Sequence, residues 1–476
     1  MAFKLLWIHA GHCHLPLPLH LIVACLLLLL LLLPLPLSRS ASSTVVTHLP
    51  GFDGPLPFYM ETGYVGVEEE TGTELFYYFV ESERSPRTDA VILWLSGGPR
   101  CSAFNGLVYE IGPVQFVVKP YDGTLPQLVC SPNSWTQMAS ILFVDSPVGS
   151  GFSYAPDPKG YDIGDISSSM QVVTFLRKWF DDHPRYLLNP FYIGGDSYAG
   201  KVVPLIAQYI SEGTEGMQHP LINLKGYLVG NPLTGDKIDD NSRIPYAHSF
   251  GIISNQLYEA AVKNCKGDYA SPTNKLCADV VRTINNLTSE VSSSNILGAI
   301  CPGDDIRRKS RPEEHYWLGD PPEEPPFSCF TYRLYLSYFW ANNNATQAAL
   351  GIKEGTVTEW IRCKRYADLP YAFDLPSSIK YHFNLTSRGY RALVYSGDHD
   401  LIIPFSGTHA WIRSFNLSIV DDWRAWHLDG QAAGFTITYT NNLTFATIKG
   451  GWHAAPENRP EQCFAMAKRW LDNMPL

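Results

Sequence analysis

The sequence is short of positive charge. Its 36 Lys and Arg residues are outnumbered by 46 Asp and Glu, giving a formal net charge of −10. Nucleic-acid binders carry a basic excess, so this balance argues against that class. Charge of either sign is modest, at 17% against 45% hydrophobic residues. That is a folded composition, far from a disordered one. The ten cysteines form no CxxC pair, which weakens any zinc reading. There is no HExxH and no phosphate-binding loop, so neither a metal nor a nucleotide cofactor is implied. No repeat of 20–50 residues is visible, which argues against a solenoid.

What is present begins with a leader. Leu21 to Leu33 is an unbroken apolar run, preceded by Lys4 and followed by Pro, Ser and Ala. The run is short of the roughly 20 residues that a spanning helix needs. It reads as a secretory signal over residues 1–40, cut between Leu37 and Ser43, rather than as a membrane anchor. Cys13 and Cys25 leave with it. Cys101, Cys130, Cys265, Cys277, Cys301, Cys329, Cys363 and Cys463 remain, and an oxidising route permits disulfides among them. Cys265/Cys277 and Cys301/Cys329 have the spacing of local loop staples. Sequons at Asn286, Asn344, Asn384, Asn416 and Asn442 fit a secreted glycoprotein.

Short apolar runs ending in turn residues mark the strands. They are Glu74–Glu81, Ala90–Ser96, Ser140–Asp145, Phe191–Gly195, Leu224–Gly230, Ala392–Ser396 and Phe445–Ile448. Helical patterns cover Ile166–Phe180 and Tyr198–Ile210. Such alternation means an α/β fold with a mainly parallel sheet. The alternation stops after residue 235 and resumes near 386. Residues 236–385 therefore read as a cap inserted into one α/β domain, whose two parts are 41–235 and 386–476. Within the cap, 304–326 is charged and Pro-rich and reads as a solvated loop. Its basic run Arg307-Arg308-Lys309 is alternatively a processing site.

Gly195-Asp196-Ser197-Tyr198-Ala199-Gly200 lies between a strand and a helix, the context of a nucleophile elbow. Small residues flank Ser197 where the backbones crowd. The Tyr198 amide falls at a helix N-terminus, where it can bind an oxyanion. A serine needs a base, and the base an orienting acid. Asp398 follows the strand ALVYS, and His453 follows FATI on a Gly450-Gly451 loop. These are the expected acid and base, with Asp400 as the rival acid and His399, His409 and His427 as rival bases. Gly98, in the loop Ser96-Gly97-Gly98-Pro99, is the expected second oxyanion donor.

Six collinear blocks carry a family resemblance: WLSGGPRCSAFNGLVYEIGP (94–113), DSPVGSGFSYA (145–155), GGDSYAGKVVP (194–204), GYLVGNPLT (226–234), YSGDHDLIIPFSGTHAWI (395–412) and KGGWHAAPENRPEQCFAMAKRWL (449–471). The chain resembles the plant serine carboxypeptidase-like proteins of the α/β-hydrolase fold. The resemblance implies a Ser197–Asp398–His453 triad and an oxyanion hole of the Gly98 and Tyr198 amides. It implies disulfides Cys101–Cys363, Cys265–Cys277 and Cys301–Cys329, with Cys130 and Cys463 unpaired. It places Ser96, Gly97, Glu110, Asp196 and Trp452 at the substrate.

True carboxypeptidases of the family carry Asn and Glu where this chain has Ser96 and Asp196. GDSY, VDDWRAW (420–426) and FATIKGG look like the acyltransferase branch. That branch moves an acyl group from a 1-O-β-acylglucose to an acceptor hydroxyl. The implied partners are thus a small-molecule donor and acceptor, with no nucleic acid and no stable membrane anchor after signal cleavage. Family habit favours the vacuole, with the extracellular space as the alternative. Serine carboxypeptidase activity is the second reading, and a non-catalytic secreted scaffold the third. Two residues depart from the family pattern. Arg100 replaces a glycine; if that position needs a positive φ, Arg costs about 1–2 kcal/mol there. It also sets a cation near the oxyanion loop. Trp452 replaces a glycine before the histidine, where it narrows the pocket or offers a stacking face.

Overall fold

The computed structural model describes residues 42–217, 219–301, 322, 324–364 and 369–476. The expected leader, most of the 304–326 loop and its run at 307–309 lie outside the described residues.

Eleven strands form one sheet. In chain order they are β1 (Ser42–Val45), β2 (Met60–Glu68), β3 (Thr73–Val80), β4 (Ala90–Leu95), β5 (Ala139–Val144) and β6 (Phe191–Asp196). β7 (Leu224–Gly230), β8 (Arg391–Gly397), β9 (Ile419–Leu428), β10 (Gln431–Tyr439) and β11 (Leu443–Ile448) follow. The spatial order is β1-β2-β3-β5-β4-β6-β7-β8-β11-β10-β9. The six central strands, β5 to β11 in that order, are parallel to their neighbours. The three strands on one flank and the two on the other are antiparallel. Continuous apolar sequence forms the central strands because both of their faces are covered. β5 is buried along its whole length, and β4 at all but its first residue.

Alternate residues feed the two faces. Trp94, Phe143 and Leu393 join the core that receives Trp470 of helix Pro460–Leu471. Leu93, Leu142 and Val394 join the core under α1 (Asp165–Asp182) and α2 (Ala199–Glu215). Between β7 and β8 the chain leaves the sheet for helices that include Asn255–Cys265 and Lys275–Thr288. These pack around a small core of Ile244, Tyr246, Ala261 and Ile284. Disulfides join Cys265 to Cys277, Cys301 to Cys329, and Cys101 to Cys363, while Cys130 is exposed and Cys463 buried, both unpaired.

The registers decide where chemistry can gather. Leu95 sits opposite Gly195, Gly230 opposite Asp196 and Tyr395, and Gly397 opposite Ile448. The C-terminal ends of β4, β6, β7, β8 and β11 therefore lie along one edge. Loops at that edge of a parallel sheet are where such folds hold their ligands.

Candidate active site

Ser197 lies at the end of β6 with φ 55°, a conformation that costs a non-glycine residue strain. The elbow is held from both sides. Ser197 N–H donates to Gly230 O at 2.9 Å, and Ser197 O accepts from Leu233 N at 2.9 Å and Gly200 N at 3.0 Å. Small neighbours are obligatory. A Cβ on Gly195 would lie 2.6 Å from the Ala199 methyl, and one on Gly97 would lie 2.8 Å from Ser197 Cβ and 3.1 Å from Tyr198 N. The loop after β4 is thus pressed against the nucleophile and the amide that follows it.

His453 Nε2 is 2.7 Å from Ser197 Oγ, and its Nδ1 is 2.8 Å from Asp400 Oδ2. Here the structure corrects the sequence reading. Asp398 is not the orienting acid: its Oδ1 is 2.6 Å from His399 Nδ1 and accepts from Gly450 N at 2.7 Å. The physical reason is a turn at 398–399. It returns the chain so that the second acid, not the first, comes under His453. Asp400 is fully buried. Besides His453 it accepts from Asn231 Nδ2 at 2.8 Å and from Ile402 N at 2.7 Å. Three donors thus fix the carboxyl that orients His453.

Asn231 was missed by the sequence reading. It stands directly after β7 with φ 42°, is fully buried, and also accepts from Gly397 N at 3.2 Å. Its position after a buried strand, in GYLVGNP, was the available signal. The rival bases are engaged elsewhere. His399 pairs with Asp398, His409 stacks between Trp423 and Phe445 with its Nε2 3.0 Å from the Tyr439 hydroxyl, and His427 is exposed on β9.

Behind the elbow sits a buried polar hub. Asp165, at the start of α1, accepts from the Tyr198 hydroxyl at 2.5 Å, the Tyr371 hydroxyl at 3.1 Å and Leu375 N at 3.1 Å. It also pairs with Lys201 at 2.9 Å, with both side chains buried. The hub anchors the ring of the residue whose amide faces the oxyanion loop. Tyr198→Phe is expected to lower stability by about 1.5–3 kcal/mol, the worth of a hydrogen bond to a charged group. The amide itself stays, so Ser197 still reacts with a fluorophosphonate. Denaturant unfolding and probe labelling read the two effects separately.

The departures from the family pattern fall as follows. The positive φ in the oxyanion loop belongs to Gly98, at 123°, and not to Arg100. The strain expected at Arg100 is therefore absent. Its guanidinium turns to carbonyls, those of Val148, Pro370 at 2.8 Å and Tyr161 at 3.4 Å, and lies over the Tyr371 ring. Burial lowers its pKa to about 10. Trp452 is half-buried, with Phe330 5.1 Å from its ring and the Arg333 guanidinium 5.8 Å away. Arg333 in turn pairs with Glu457 at 2.6 Å.

Two further acids share this region. Glu110 accepts from the Trp94 indole at 2.7 Å. Burial, reinforced by mutual repulsion with Asp196 and Glu457, holds its pKa well above the usual carboxylate range. Asp196 is raised for the same first reason, burial, and its proximity to His453 offsets part of that. Ser96 Oγ and Asp196 Oδ1 are buried without a hydrogen-bond partner among the described residues.

A strained serine bonded to a histidine that is bonded to a buried aspartate is the machinery of serine-type acyl chemistry. Residues 50–473 match the family model described as serine carboxypeptidase. The chain belongs to the serine carboxypeptidase family. It is 46% identical over 446 residues to serine carboxypeptidase-like 19 of Arabidopsis thaliana, covering 91% of this chain and 95% of that one. It is 45% identical over 438 residues to serine carboxypeptidase-like 3 of the same plant, covering 92% and 94%. Among solved structures it is similar to Kex1, a prohormone-processing carboxypeptidase from Saccharomyces cerevisiae. The TM-score there is 0.73 at 20% identity, over 90% of this chain and 95% of that one. At that identity the likeness speaks for the α/β-hydrolase fold alone. This family member is a serine-type enzyme of plant carboxypeptidase-like kind.

Proposed function

We propose that this carboxypeptidase-family protein is an acyltransferase that moves an acyl group from a 1-O-β-acylglucose to an acceptor hydroxyl. The observation that carries the reading is the pair of buried, unpartnered oxygens on Ser96 and Asp196, at the nucleophile. Buried polar atoms want partners. A hydroxyl-rich ligand supplies donors to the Asp196 carboxyl and both donor and acceptor to Ser96. A peptide carboxylate supplies only acceptors, and the Asn and Glu that receive it in the family's carboxypeptidases are absent here.

Ser197 Oγ attacks the ester carbonyl while His453 Nε2 takes its proton. Asp400 stabilises the imidazolium. The Gly98 and Tyr198 amides meet the oxyanion, each donor of this type being worth about 3 kcal/mol. His453 then protonates the departing glucose oxygen. An acceptor hydroxyl gives its proton to His453 and attacks the acyl-enzyme carbonyl; the bond to Ser197 Oγ then breaks, His453 returns the proton to that oxygen, and the new ester leaves. Transfer outruns hydrolysis when the acceptor is held in place and water is excluded.

One observation favours the second reading, carboxypeptidase action. Glu110 and Asp196 both titrate above the usual carboxylate range. Protonated at mildly acidic pH, they would donate to a peptide's terminal carboxylate. The three disulfides fit a secretory route. We place the protein there, in the vacuole with the extracellular space as the alternative, and expect glycans at Asn286, Asn344, Asn384, Asn416 and Asn442, which are all exposed.

The deciding assay offers the purified protein and Ser197→Ala a panel of aromatic 1-O-acylglucoses with mixed hydroxyl acceptors, beside a blocked dipeptide. Glucose release with a new ester, lost in the variant, is the expected result. Asp196→Asn is expected to raise KM for the donor more than it lowers kcat. Release of a C-terminal amino acid with no ester formed would overturn the proposal in favour of peptidase action.

A further inference from the structure

Asp398 is left without a catalytic role by the geometry, yet it is one of the most connected residues at the sheet edge. Its Oδ1 receives both His399 Nδ1, at 2.6 Å, and the Gly450 amide, at 2.7 Å. Its amide donates to Ile448 O at 3.2 Å, and the His399 amide donates to Gly451 O at 2.9 Å. Asp398 O accepts from the Tyr246 hydroxyl of the inserted region at 2.6 Å. The Gly450, Ile448 and Gly451 bonds join the turn that leads to Asp400 with the segment that leads to His453, while the His399 bond stiffens the turn itself.

That second loop is tied from two sides: Asn458 Nδ2 and Arg459 Nε donate to Gly450 O at 2.8 and 3.2 Å, and Asp398 Oδ1 accepts from Gly450 N. The loop is Gly450-Gly451, with Gly450 at φ 70°, and has no side chain of its own to pack. Glycine leaves it the largest conformational freedom to lose. The side chains of His399 and Asp398 are only 18% and 25% exposed, so their hydrogen bond is partly sheltered from water. The inserted region reinforces the same place: Ser293 O accepts from Leu401 N at 2.9 Å, Ser294 O from His453 N at 2.9 Å, and Ile296 N donates to His399 O at 3.1 Å.

We propose that Asp398 and His399 are positioning residues, a clasp that fixes the loop bearing Asp400 against the loop bearing His453. The clasp holds the imidazole in register between Ser197 and Asp400 as its charge changes during acylation. It touches neither the reacting atoms nor the substrate.

The test uses the purified full chain and a fluorophosphonate, which needs the triad but no particular substrate. It therefore stands or falls independently of the acyltransferase reading. Labelling of Ser197 is resolved into KI and kinact. His399→Leu and Asp398→Ala are expected to lower kinact about tenfold with KI within about twofold, since small misplacements of catalytic groups act on rate. His399→Asn keeps an N–H donor near the Nδ1 position and is expected to recover most of kinact. Thermal unfolding of each variant reports folding separately, and if His399→Leu does not fold, Asp398→Ala removes the same side-chain bond together with the Gly450 bond. Unchanged kinact in both variants overturns the proposal. So does a raised KI with kinact kept, which would make the pair a ligand contact. Failure of His399→Asn to recover rate, at a normal melting temperature, overturns it as well.

Discussion

Asp400→Asn is expected to lower kcat by about four orders of magnitude while the protein stays folded. The amide keeps the volume of the carboxylate, and with its oxygen at the Oδ1 position it still accepts from Ile402 N, while its NH2 takes the Oδ2 position beside His453. What it cannot do is accept the Nδ1 proton of His453 and stabilise the imidazolium. Its NH2 group instead favours the tautomer with the proton on Nε2, which then has no lone pair for the Ser197 hydroxyl. The same change at Asp398 is expected to cost at most a few tens-fold, because that residue acts through loop position alone. Hydrolysis of a chromogenic ester by the two variants, side by side, ranks the acids. Equal losses, or a larger loss at Asp398, would return the orienting role to Asp398.

The second large effect concerns stability. Lys201→Met is expected to destabilise the protein by about 3–5 kcal/mol, the usual consequence of stranding one partner of a buried ion pair. Asp165 would keep its three hydrogen bonds but lose its counter-charge in a site closed to water. Adding Asp165→Asn to Lys201→Met is expected to recover part of the loss, since the uncompensated charge is then gone. Denaturant midpoints of the single and double variants give the comparison. A Lys201→Met midpoint equal to that of the parent would mean that the pair contributes no net stability.

Legibility in the sequence followed burial. β4, β5, β6, β7 and β8 were placed to within a residue or so because each is an apolar run ended by a turn. α1 and α2 were recognised from their spacing. The flanks were harder. β9 contains Asp421, Asp422, Trp423 and Arg424 and is largely exposed, so it offers no apolar run. β2 mixes Gly63 and Gly66 with Glu61, although Glu61 is buried against Tyr77, Tyr59 and His183. Antiparallel edges of this kind are set by pairing partners far away in sequence.

At the site, Ser197 and His453 were legible because a strand-turn-helix and a strand-glycine loop each point to one residue. The acid was not, because two aspartates follow the same strand. Only the turn between them decides which one reaches His453. Asn231 escaped because its importance lies in a carboxylate that is 169 residues distant in the chain.

That separation has a consequence for synthesis. Ser197 and the histidine that activates it are 256 residues apart, and the strands that carry them join one sheet only through β7 and β8. A chain made only as far as the inserted region holds the serine but not the histidine, so its serine is an ordinary alcohol. Contacts this distant in sequence form late and slowly. Until the chain through His453 has been made and its strand has joined the sheet, Ser197 has no base to activate it.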